Sequence, residues 1–419
     1  MIRVEMLPSR RCGAAAARCG CRLWPSLLLA AGALVSTAAA IEVGGRLLGV
    51  DYEFKAHAFH RFPIYYQQPT LPEGPFFRRP GPDAWHGKVI SAALRLQGIP
   101  DADVGDPEVT VTYDRDGFRN PEDLADWEIV VVGDSFTEAG YLPYEDLFTT
   151  VLGRLTGRRV KNLGVSYTGT LSHILYLERF GTSPSAAHAV VAFFEANDAD
   201  DIQRETALRK APRPPVPPAA PVPVIDALPR QSSFLLAVYR WSAMAWRDSN
   251  APRPPPKASV SDWVNAEFTG GPVPVPLTLA YTPPGPAEMS PKLRDLVDGA
   301  IGEWAETARR SGLTPWLLYL PCKRRALDGL LRFSPRAEPR FAAWKPNDLP
   351  RWVAERCAAH AVRFVDATPA LAADARAGIL DFNGIYDSHL NRAGHRTVAR
   401  VLAEAMAPAL AEGGVRAAP

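Results

Sequence analysis

Three polar residues of this chain have the types that a serine-based acyl transfer requires. Ser135 follows the apolar run Ile129 to Gly133, while Asp387 and His389 lie together near the carboxyl terminus. A serine hydroxyl is a poor nucleophile near neutral pH, so it needs a base within hydrogen-bond reach, and an imidazole base needs a partner that fixes its tautomer. We therefore predict that Ser135, His389 and Asp387 form a catalytic triad.

Acyl transfer also places negative charge on the carbonyl oxygen of the substrate. Hydrogen-bond donors that already point at this oxygen stabilise the transition state by about 3 to 4 kcal/mol each in the best case. Asn197 follows the apolar run His188 to Phe194, and the backbone N–H of Ser135 opens a predicted helix. We predict that both residues supply donors to an oxyanion hole.

A single Gly-Asp-Ser triplet is also typical of an ordinary strand-to-helix turn, but further motifs follow this one in order. They are Asn162-Leu163-Gly164, Asn197-Asp198, and Asp387 with His389. In these residues the chain resembles the SGNH, or GDSL-like, hydrolase family, over Thr110 to Asp201 and Ser290 to Pro408. The resemblance implies a flavodoxin-like three-layer α/β domain with a parallel sheet, and an acyl-serine intermediate.

The acid of the predicted triad stands at an unusual position. The common family pattern has its aspartate three residues before the histidine, where this chain has Tyr386, whereas Asp387 is two residues before His389. The Asp-x-His spacing resembles the polysaccharide O-acetyltransferase branch of the family, which includes alginate acetylation proteins. This spacing favours sugar-acetyl chemistry.

The predicted oxyanion hole departs from the family pattern as well. The family glycine that gives a backbone donor, five residues after the asparagine of the second motif, is Tyr167 here. Any residue except proline carries such an N–H, so Tyr167 is the predicted donor, with Gly169 as the alternative and Gly164 as the glycine of the second motif. Glu195 stands where the family has glycine, two residues before Asn197, and this puts the shape of that loop in question.

Two other kinds of site use similar residues. A lipase-type nucleophile elbow requires Gly-x-Ser-x-Gly, and the residue two after Ser135 is Thr137, which argues against an α/β-hydrolase. A metal site is the other kind, with these possible ligands: Asp198, Asp200, Asp201, Asp387, His389 and His395. The two histidines of this set do not have a usual helical ligand spacing, so we expect no metal and no other cofactor. We interpret Asp200 and Asp201 as a solvated loop or helix start.

The elements that must hold these residues alternate along the chain. Over residues 110–205 and again over 291–410, apolar runs typical of buried strands alternate with runs of helical periodicity. Such alternation predicts a parallel sheet, and ligands bind at the carboxyl edge of the strands in open α/β folds. Ser290 before Pro291 predicts the start of a helix, and Arg392 to Leu410 predicts the closing helix.

Residues 206–290 interrupt the alternation with clusters of proline, such as Pro214 to Pro218. Proline excludes regular helices and central strands, so we predict an insertion. Its apolar stretch Ser232 to Asp248 predicts an amphipathic helix, which is either a lid or substrate wall over Ser135 or a docked helix in a spacer. For residues 42–109 we predict an irregular stem.

The first residues predict where the protein acts. Residues 1–22 are rich in arginine, and the uncharged run from Leu23 to Ile41 is long enough to cross a hydrocarbon core as a helix. Because basic flanks stay in the cytoplasm, we expect an inner-membrane anchor with the catalytic domain outside, in the periplasm or extracellular space. The run ends in Ser36 to Ala40, which also fits a cleavage site, so a removed signal peptide and secretion are the alternative.

Cysteine usage and charge limit the other expectations. Cys322 and Cys357 lie in the part expected to be exported. They either form a disulfide with each other or are buried thiols, and the sequence leaves both alternatives open. The formal net charge is +2, with 47 Lys and Arg against 45 Asp and Glu. Because the arginines are scattered, we do not expect nucleic acid as a partner.

These observations predict a serine esterase or acyltransferase that acts on O-acetyl groups of glycans outside the cytoplasm. The expected partners are an ester-bearing substrate, with an acetylated glycan preferred, and a membrane through the N-terminal helix. The alternative is a catalytically weak envelope-assembly or glycan-binding protein, in which Ser135 and His389 persist only as structure.

Overall fold

A computed structural model describes residues 16–48, 83–87, 109–210, 234, 235, 238, 239, 242, 264–335, 337–384 and 388–412 of the chain. The chain divides into two compact units. The first is Met1–Ala56 with Pro217–Ala251, and the second is His57–Val216 with Pro252–Pro419.

The first unit contains helix α1, Ala16–Leu47. Its stretch Leu28–Gly45 has 18 residues and is long and apolar enough to cross a membrane, although a signal sequence passes the same test. The predicted span therefore lies in a helix of suitable length. In the same unit, the Leu235 amide donates to Glu42 Oε2 at 3.3 Å. Residues 234, 235, 238, 239 and 242 are helical, and the remainder of the predicted amphipathic helix lies outside the described residues.

The second unit carries ten strands and ten helices among its described residues. The strands are β1 Asp83–Gly87, β2 Val109–Tyr113, β3 Ile129–Gly133, β4 Val160–Gly164, β5 His188–Phe194, β6 Ala266–Phe268, β7 Val275–Leu277, β8 Thr314–Leu320, β9 Leu331–Phe333 and β10 Arg363–Asp366. The helices are α2 Ser135–Glu138, α3 Phe148–Thr156, α4 Thr170–Phe180, α5 Asp198–Lys210, α6 Pro291–Arg310, α7 Lys323–Ala326, α8 Pro339–Ala343, α9 Leu349–Ala359, α10 Thr368–Arg376 and α11 Arg392–Glu412.

Five strands form the central sheet in the order β10-β8-β5-β3-β4. All of its pairings are parallel. Numbered along the chain, this order is 2-1-3-4-5, which is the flavodoxin-like arrangement. The predicted fold class is confirmed. In such a sheet, ligands bind where the strand order reverses, which here is at the carboxyl ends of β3 and β5.

Strand β3 explains why the sheet has helices on both faces. Ile129, Val130, Val131 and Val132 are fully buried, as expected for a parallel strand covered on each side. Successive side chains point to opposite faces. Ile129 and Val131 belong to a core shared with α3, α10 and α11, whereas Val130 and Val132 belong to a core shared with α4, α6 and α9. The domain therefore has three layers.

The ends of the helices follow from local chemistry. The Ser290 side chain accepts a hydrogen bond from the Leu293 amide, and Pro291 is the first residue of α6, as the sequence predicts. Helix α3 ends at Gly157, whose φ of 66° suits glycine. The closing helix α11 begins at Arg392, the predicted residue.

Two further sheets lie outside the predicted alternation. Strands β7, β6 and β9 form an antiparallel sheet in that order. Strands β6 and β7 come from the proline-rich region, and the sequence did not predict them. Pro276 of β7 pairs with Glu267 of β6. The edge position of β7 explains this, because proline cannot donate to a second neighbouring strand. Strand β1, within the predicted irregular stem, pairs with β2.

Cys322 and Cys357 are both free and buried. They belong to the hydrophobic cores on opposite faces of the central sheet. Burial raises the pKa of the Cys357 thiol to about 12. The disulfide alternative is therefore wrong, and both residues are apolar core thiols.

Candidate active site

Ser135 is the first residue of α2 and lies two residues after the end of β3, a strand of the central sheet. Asp134 caps this short helix, because its Oδ1 accepts a hydrogen bond from the Phe136 amide at 2.9 Å. The turn is held close to the next strand. A Cβ on Gly164 would lie 2.3 Å from the Glu138 nitrogen, so only glycine fits beside α2. Ser135 is thereby presented at the carboxyl edge of the sheet.

The structure brings Ser135 and His389 together. His389 Nε2 lies 2.6 Å from Ser135 Oγ, although the two residues are 254 positions apart. In the tautomer that a general base requires, the hydroxyl donates and Nε2 accepts. The ring of His389 packs against those of Phe136 and Tyr141, with centroid distances of 4.7 and 5.3 Å. These contacts restrict the orientation of the imidazole.

Asp387, the third member of the predicted triad, lies outside the described residues, as does Tyr386. Its contact with His389 stays a prediction. The neighbouring residues of the same loop are placed, since Leu390 forms an isolated bridge with Phe382 and the Asn383 amide donates to the His389 carbonyl at 2.9 Å. These contacts join Phe382 and Asn383 to His389 and Leu390.

His395 supports this loop from the first turn of α11. It is fully buried, and burial lowers its pKa to about 3, so the ring is neutral. The Phe148 amide donates to Nδ1 at 3.0 Å, which leaves the hydrogen on Nε2, 3.2 Å from the Tyr141 hydroxyl. That hydroxyl in turn donates to the Leu390 carbonyl at 2.9 Å. Both ring nitrogens of His395 are therefore engaged within the fold.

Asn197, the predicted oxyanion donor, lies after β5 on one side of Ser135. Its Nδ2 donates to Asp134 Oδ2 at 3.2 Å and to Asp201 Oδ2 at 3.0 Å. An amide nitrogen has two hydrogens, and both have carboxylate acceptors here. Donation to a substrate oxygen therefore requires that one of these two bonds be exchanged.

Tyr167 lies after β4, on the other side of Ser135. Its φ is +65°, the left-handed conformation that favours glycine. Among the residues that the structure describes, its backbone N–H has no acceptor, while its carbonyl accepts from Arg204 at 2.9 Å. The side chain is 55% exposed. The backbone thus has a conformation that suits glycine, although the side chain is that of tyrosine.

The two glycines named in the prediction have other partners. The Gly169 amide donates to Glu205 Oε1, and the Gly164 amide donates to Asn162 Oδ1, both at 2.8 Å. Both amides therefore donate within the protein in this structure, which favours Tyr167 over Gly169 and Gly164 as the backbone donor. Gly164 serves close packing against α2, and Gly169 precedes the first residue of α4.

Glu195 explains how the chain accommodates an acid at the family's glycine position. Its carboxylate accepts from Tyr319 Oη at 2.5 Å, from the Cys322 amide at 2.9 Å and from Arg325 Nε at 2.6 Å. The side chains of Glu195 and Arg325 are almost fully buried. The ion pair joins the end of β5 to α7, and it holds the segment that leads to Asn197.

Three carboxyl groups lie around Asn197. Burial raises the pKa of Asp134, and the bond from the Phe136 amide and the charge of His389 act against it. Burial also raises the pKa of Asp198, and nearby Asp134 adds to the rise. For Asp201, burial raises the pKa to about 7. Asp200 and Asp201 lie in the first turn of α5, which agrees with their interpretation as a helix start. Asp200 is exposed, whereas Asp201 is 6% exposed. No metal-holding group of three or more ligands occurs within the described ranges.

Sequence reasoning missed the residues that brace the serine turn. Glu138 is buried and accepts from Tyr113 Oη at 2.6 Å and from the Ser166 amide at 2.6 Å. Arg119 is also buried and donates to the carbonyls of Ala139 and Leu142 at 2.7 and 2.8 Å. The buried acid three residues after the serine was the only available signal, because the partners come from distant parts of the chain.

Comparison with known proteins decides the family. Residues 131–397 match the GDSL-like Lipase/Acylhydrolase family, and this stretch is more than half of the 419-residue chain. The chain belongs to this family. As a GDSL-like enzyme it is a serine hydrolase of the esterase kind. A search of curated proteins finds no match.

Several solved structures resemble this GDSL-like chain. A lipolytic G-D-S-L family protein of Veillonella parvula is 13% identical, with a TM-score of 0.33, covering 66% of this chain and 96% of its own. The aryl esterase of M. smegmatis is 13% identical, with a TM-score of 0.32 and coverages of 68% and 99%. A carbohydrate esterase family 2 enzyme of Corynascus thermopiles is 12% identical, with a TM-score of 0.32 and coverages of 72% and 71%. At such TM-scores these likenesses carry no argument about the substrate.

Proposed function

We propose that this GDSL-like enzyme is an esterase or acyltransferase in which Ser135 is the nucleophile, His389 the general base and Asp387 the residue that orients His389. One observation carries the proposal. The Ser135 hydroxyl lies 2.6 Å from His389 Nε2 at the carboxyl edge of the central sheet, which is the geometry that an activated serine needs.

The proposed reaction has two halves. Ser135 Oγ attacks the ester carbonyl while His389 Nε2 takes the hydroxyl proton, and the tetrahedral intermediate collapses when His389 returns this proton to the departing alcohol. A water or a sugar hydroxyl then attacks the acyl-serine, with its proton passing to His389 and from there to Ser135 Oγ. Water gives hydrolysis, and a sugar hydroxyl gives acyl transfer.

The oxyanion of each tetrahedral intermediate is proposed to lie between β4 and β5. The donors are the Ser135 amide, the Tyr167 amide and Asn197 Nδ2. The structure supports this assignment in two ways. Asn197 and Tyr167 flank the serine turn, and the Tyr167 amide has no acceptor among the described residues.

The preferred substrate class is an O-acetylated glycan outside the cytoplasm. The Asp-x-His spacing of Asp387 and His389 supports sugar-acetyl chemistry, and the apolar helix α1 with its basic flank supports an inner-membrane anchor with the second unit outside. A cleaved signal peptide remains the alternative to the anchor. Detection of the amino-terminal residues on the protein in washed membranes decides between them.

The test of the proposed function compares the full chain in detergent with its Ser135→Ala variant. We expect fluorophosphonate labelling and acetate release from an aryl acetate and an acetylated polysaccharide in the wild type, and neither in the variant. The matched control is Ser185→Ala, because Ser185 precedes β5 at the opposite end of the sheet. An added sugar acceptor that takes up the acetyl group identifies a transferase. A folded wild type without labelling or turnover would instead favour the glycan-binding alternative.

A further inference from the structure

Helix α5 turns an acidic face toward the candidate site. Asp198, Asp201 and Glu205 are 0%, 6% and 2% exposed, respectively, and their spacing places them on one side of the helix. A helix in this position normally buries an apolar stripe. Buried carboxylates are stable only where they accept hydrogen bonds or pair with charges. The acidic face must therefore have partners, and these lie in the loops around Ser135.

Glu205 holds the loop that follows β4. Its carboxylate accepts from the amides of Gly169, Leu171 and Ser172 at 2.8, 3.1 and 3.2 Å. The first amides of a helix have no partner within the helix, so an acid at this end satisfies them and also favours the helix dipole. The carboxylate fixes the end of the loop that contains Tyr167.

Asp201 and Arg204 connect the two candidate oxyanion donors. Arg204 donates through Nη2 to the Tyr167 carbonyl at 2.9 Å, and its Nη1 lies 2.6 Å from Asp201 Oδ1. The other oxygen of Asp201 accepts from Asn197 Nδ2 at 3.0 Å. A continuous chain of contacts thus runs from the peptide of Tyr167 through two side chains of α5 to the amide of Asn197.

We propose that Asp201 and Arg204 are positioning residues that set the two flanking donors of the oxyanion hole, Tyr167 N–H and Asn197 Nδ2, relative to one another. The inference rests on the proposed function, because it assigns a role within the same site. Neither residue belongs to the motifs that identify the family.

Each of the two residues has a distinct task. Asp201 engages one hydrogen of Asn197, so the hydrogen now on Asp134, at the longer distance of 3.2 Å, is the one that turns to the substrate oxygen. Arg204 holds the Tyr167 peptide in its left-handed conformation by its carbonyl. The planar guanidinium reaches two acceptors at once, and a lysine ammonium on a flexible stem cannot reproduce that fixed geometry.

The test measures kcat and KM for an aryl acetate with the full-length enzyme. Removal of one oxyanion donor costs about 100- to 1,000-fold in kcat, and Arg204→Ala displaces a donor without removing it. We therefore expect kcat to fall about 10-fold and KM to change less than about 2-fold. The kcat of Arg204→Lys should lie between those of Arg204→Ala and the wild type.

Two comparisons keep the result interpretable. Arg310→Ala is the matched control, since Arg310 is an exposed arginine that pairs with Glu178 and Glu306 on the surface, and its kcat should equal that of the wild type. The inference is overturned if Arg204→Ala keeps the kcat of the wild type, if it raises only KM, or if Arg310→Ala loses as much. A wild type that neither labels nor turns over would overturn the proposed function itself, which is a different outcome.

Discussion

Tyr167 carries a backbone conformation that a tyrosine adopts only at a cost. A left-handed residue with a Cβ is destabilised by roughly 1 to 2 kcal/mol relative to the right-handed region, and the φ of +65° lies in the left-handed region. The side chain is more than half exposed, so its removal loses little packing. We expect Tyr167→Gly to raise the free energy of unfolding by about 1 kcal/mol, measured by urea denaturation.

The matched control for this prediction is Tyr167→Ala, which removes the same ring but keeps a Cβ. This variant should be no more stable than the wild type, because its strain is retained. Both variants keep the backbone N–H, so turnover of a small aryl acetate should persist in each. Equal stabilisation by glycine and alanine would show that the ring, and not the backbone, carries the cost.

At this same scale the sequence predicted some roles and not others. Ser135 and Asn197 were predicted because each follows an apolar run, and Tyr167 because it stands five residues after Asn162. Their roles stay predictions. The amides of Gly164 and Gly169 have acceptors within the protein, Asn162 and Glu205, and Glu205 is 36 residues away, where no local pattern reports it.

At the scale of elements, α11 and the loop before it are joined to the serine side of the domain by Tyr141. Its hydroxyl donates to the Leu390 carbonyl and accepts from His395, while its ring packs on His389. Tyr141 therefore fixes the position of the loop that carries the general base relative to the segment after α2. This arrangement explains how two residues on distant elements keep a distance of 2.6 Å.

We expect Tyr141→Phe to lower kcat for an aryl acetate about 10-fold and to leave KM within about 2-fold. The ring contact with His389 persists, but the Leu390 carbonyl loses this donor, and a small displacement of a catalytic group is costly. Steady-state kinetics measures kcat and KM separately. The control is Tyr144→Phe in the same segment, which should be neutral. Wild-type turnover in Tyr141→Phe would mean that ring packing alone orients the base.

The elements themselves were predictable where a continuous apolar run marks a strand buried on both faces. The strand His188–Phe194 and the helix beginning at Pro291 appear as expected. Strand β6 was missed because it pairs with β9, more than fifty residues later. Strand β7 was missed because it pairs only with β6 and because its proline argues against a strand unless the edge position is known.

At the scale of the whole molecule, the two hydrophobic cores each contain a neutral histidine. His173 in α4 and His395 in α11 lie on opposite faces of the sheet, and burial lowers the pKa of each to about 3. Below a pH of about 6.5 the unfolded chain protonates both, whereas the folded protein does not. Stability from these groups is therefore lost as the pH falls from about 6.5 toward 3.

Two buried carboxyl groups act with the opposite sign. Burial raises the pKa of Asp201 and of Asp381 to about 7. Between pH 7 and about 4 the folded state binds protons that the unfolded state releases, so these groups favour folding as the pH falls. The effects of the buried histidines and of the buried carboxyl groups on the free energy of unfolding therefore partly cancel as the pH falls. The pH dependence of wild-type stability does not reveal either contribution by itself.

Removing one histidine separates the two contributions. At pH 5.0 an unfolded histidine is protonated and His173 is not, which costs about 2 kcal/mol, while at pH 7.5 the cost is close to zero. We therefore expect the free energy of unfolding of His173→Gln, relative to the wild type, to improve by about 2 kcal/mol between pH 7.5 and pH 5.0 in urea titrations. Any packing cost of the glutamine is the same at both pH values and cancels. Leu177→Ala, in the same helix and without a titratable group, should show the same deficit at both pH values. If His173→Gln behaves as Leu177→Ala does, His173 does not remain neutral in the folded core, and the acid sensitivity of the domain has another origin.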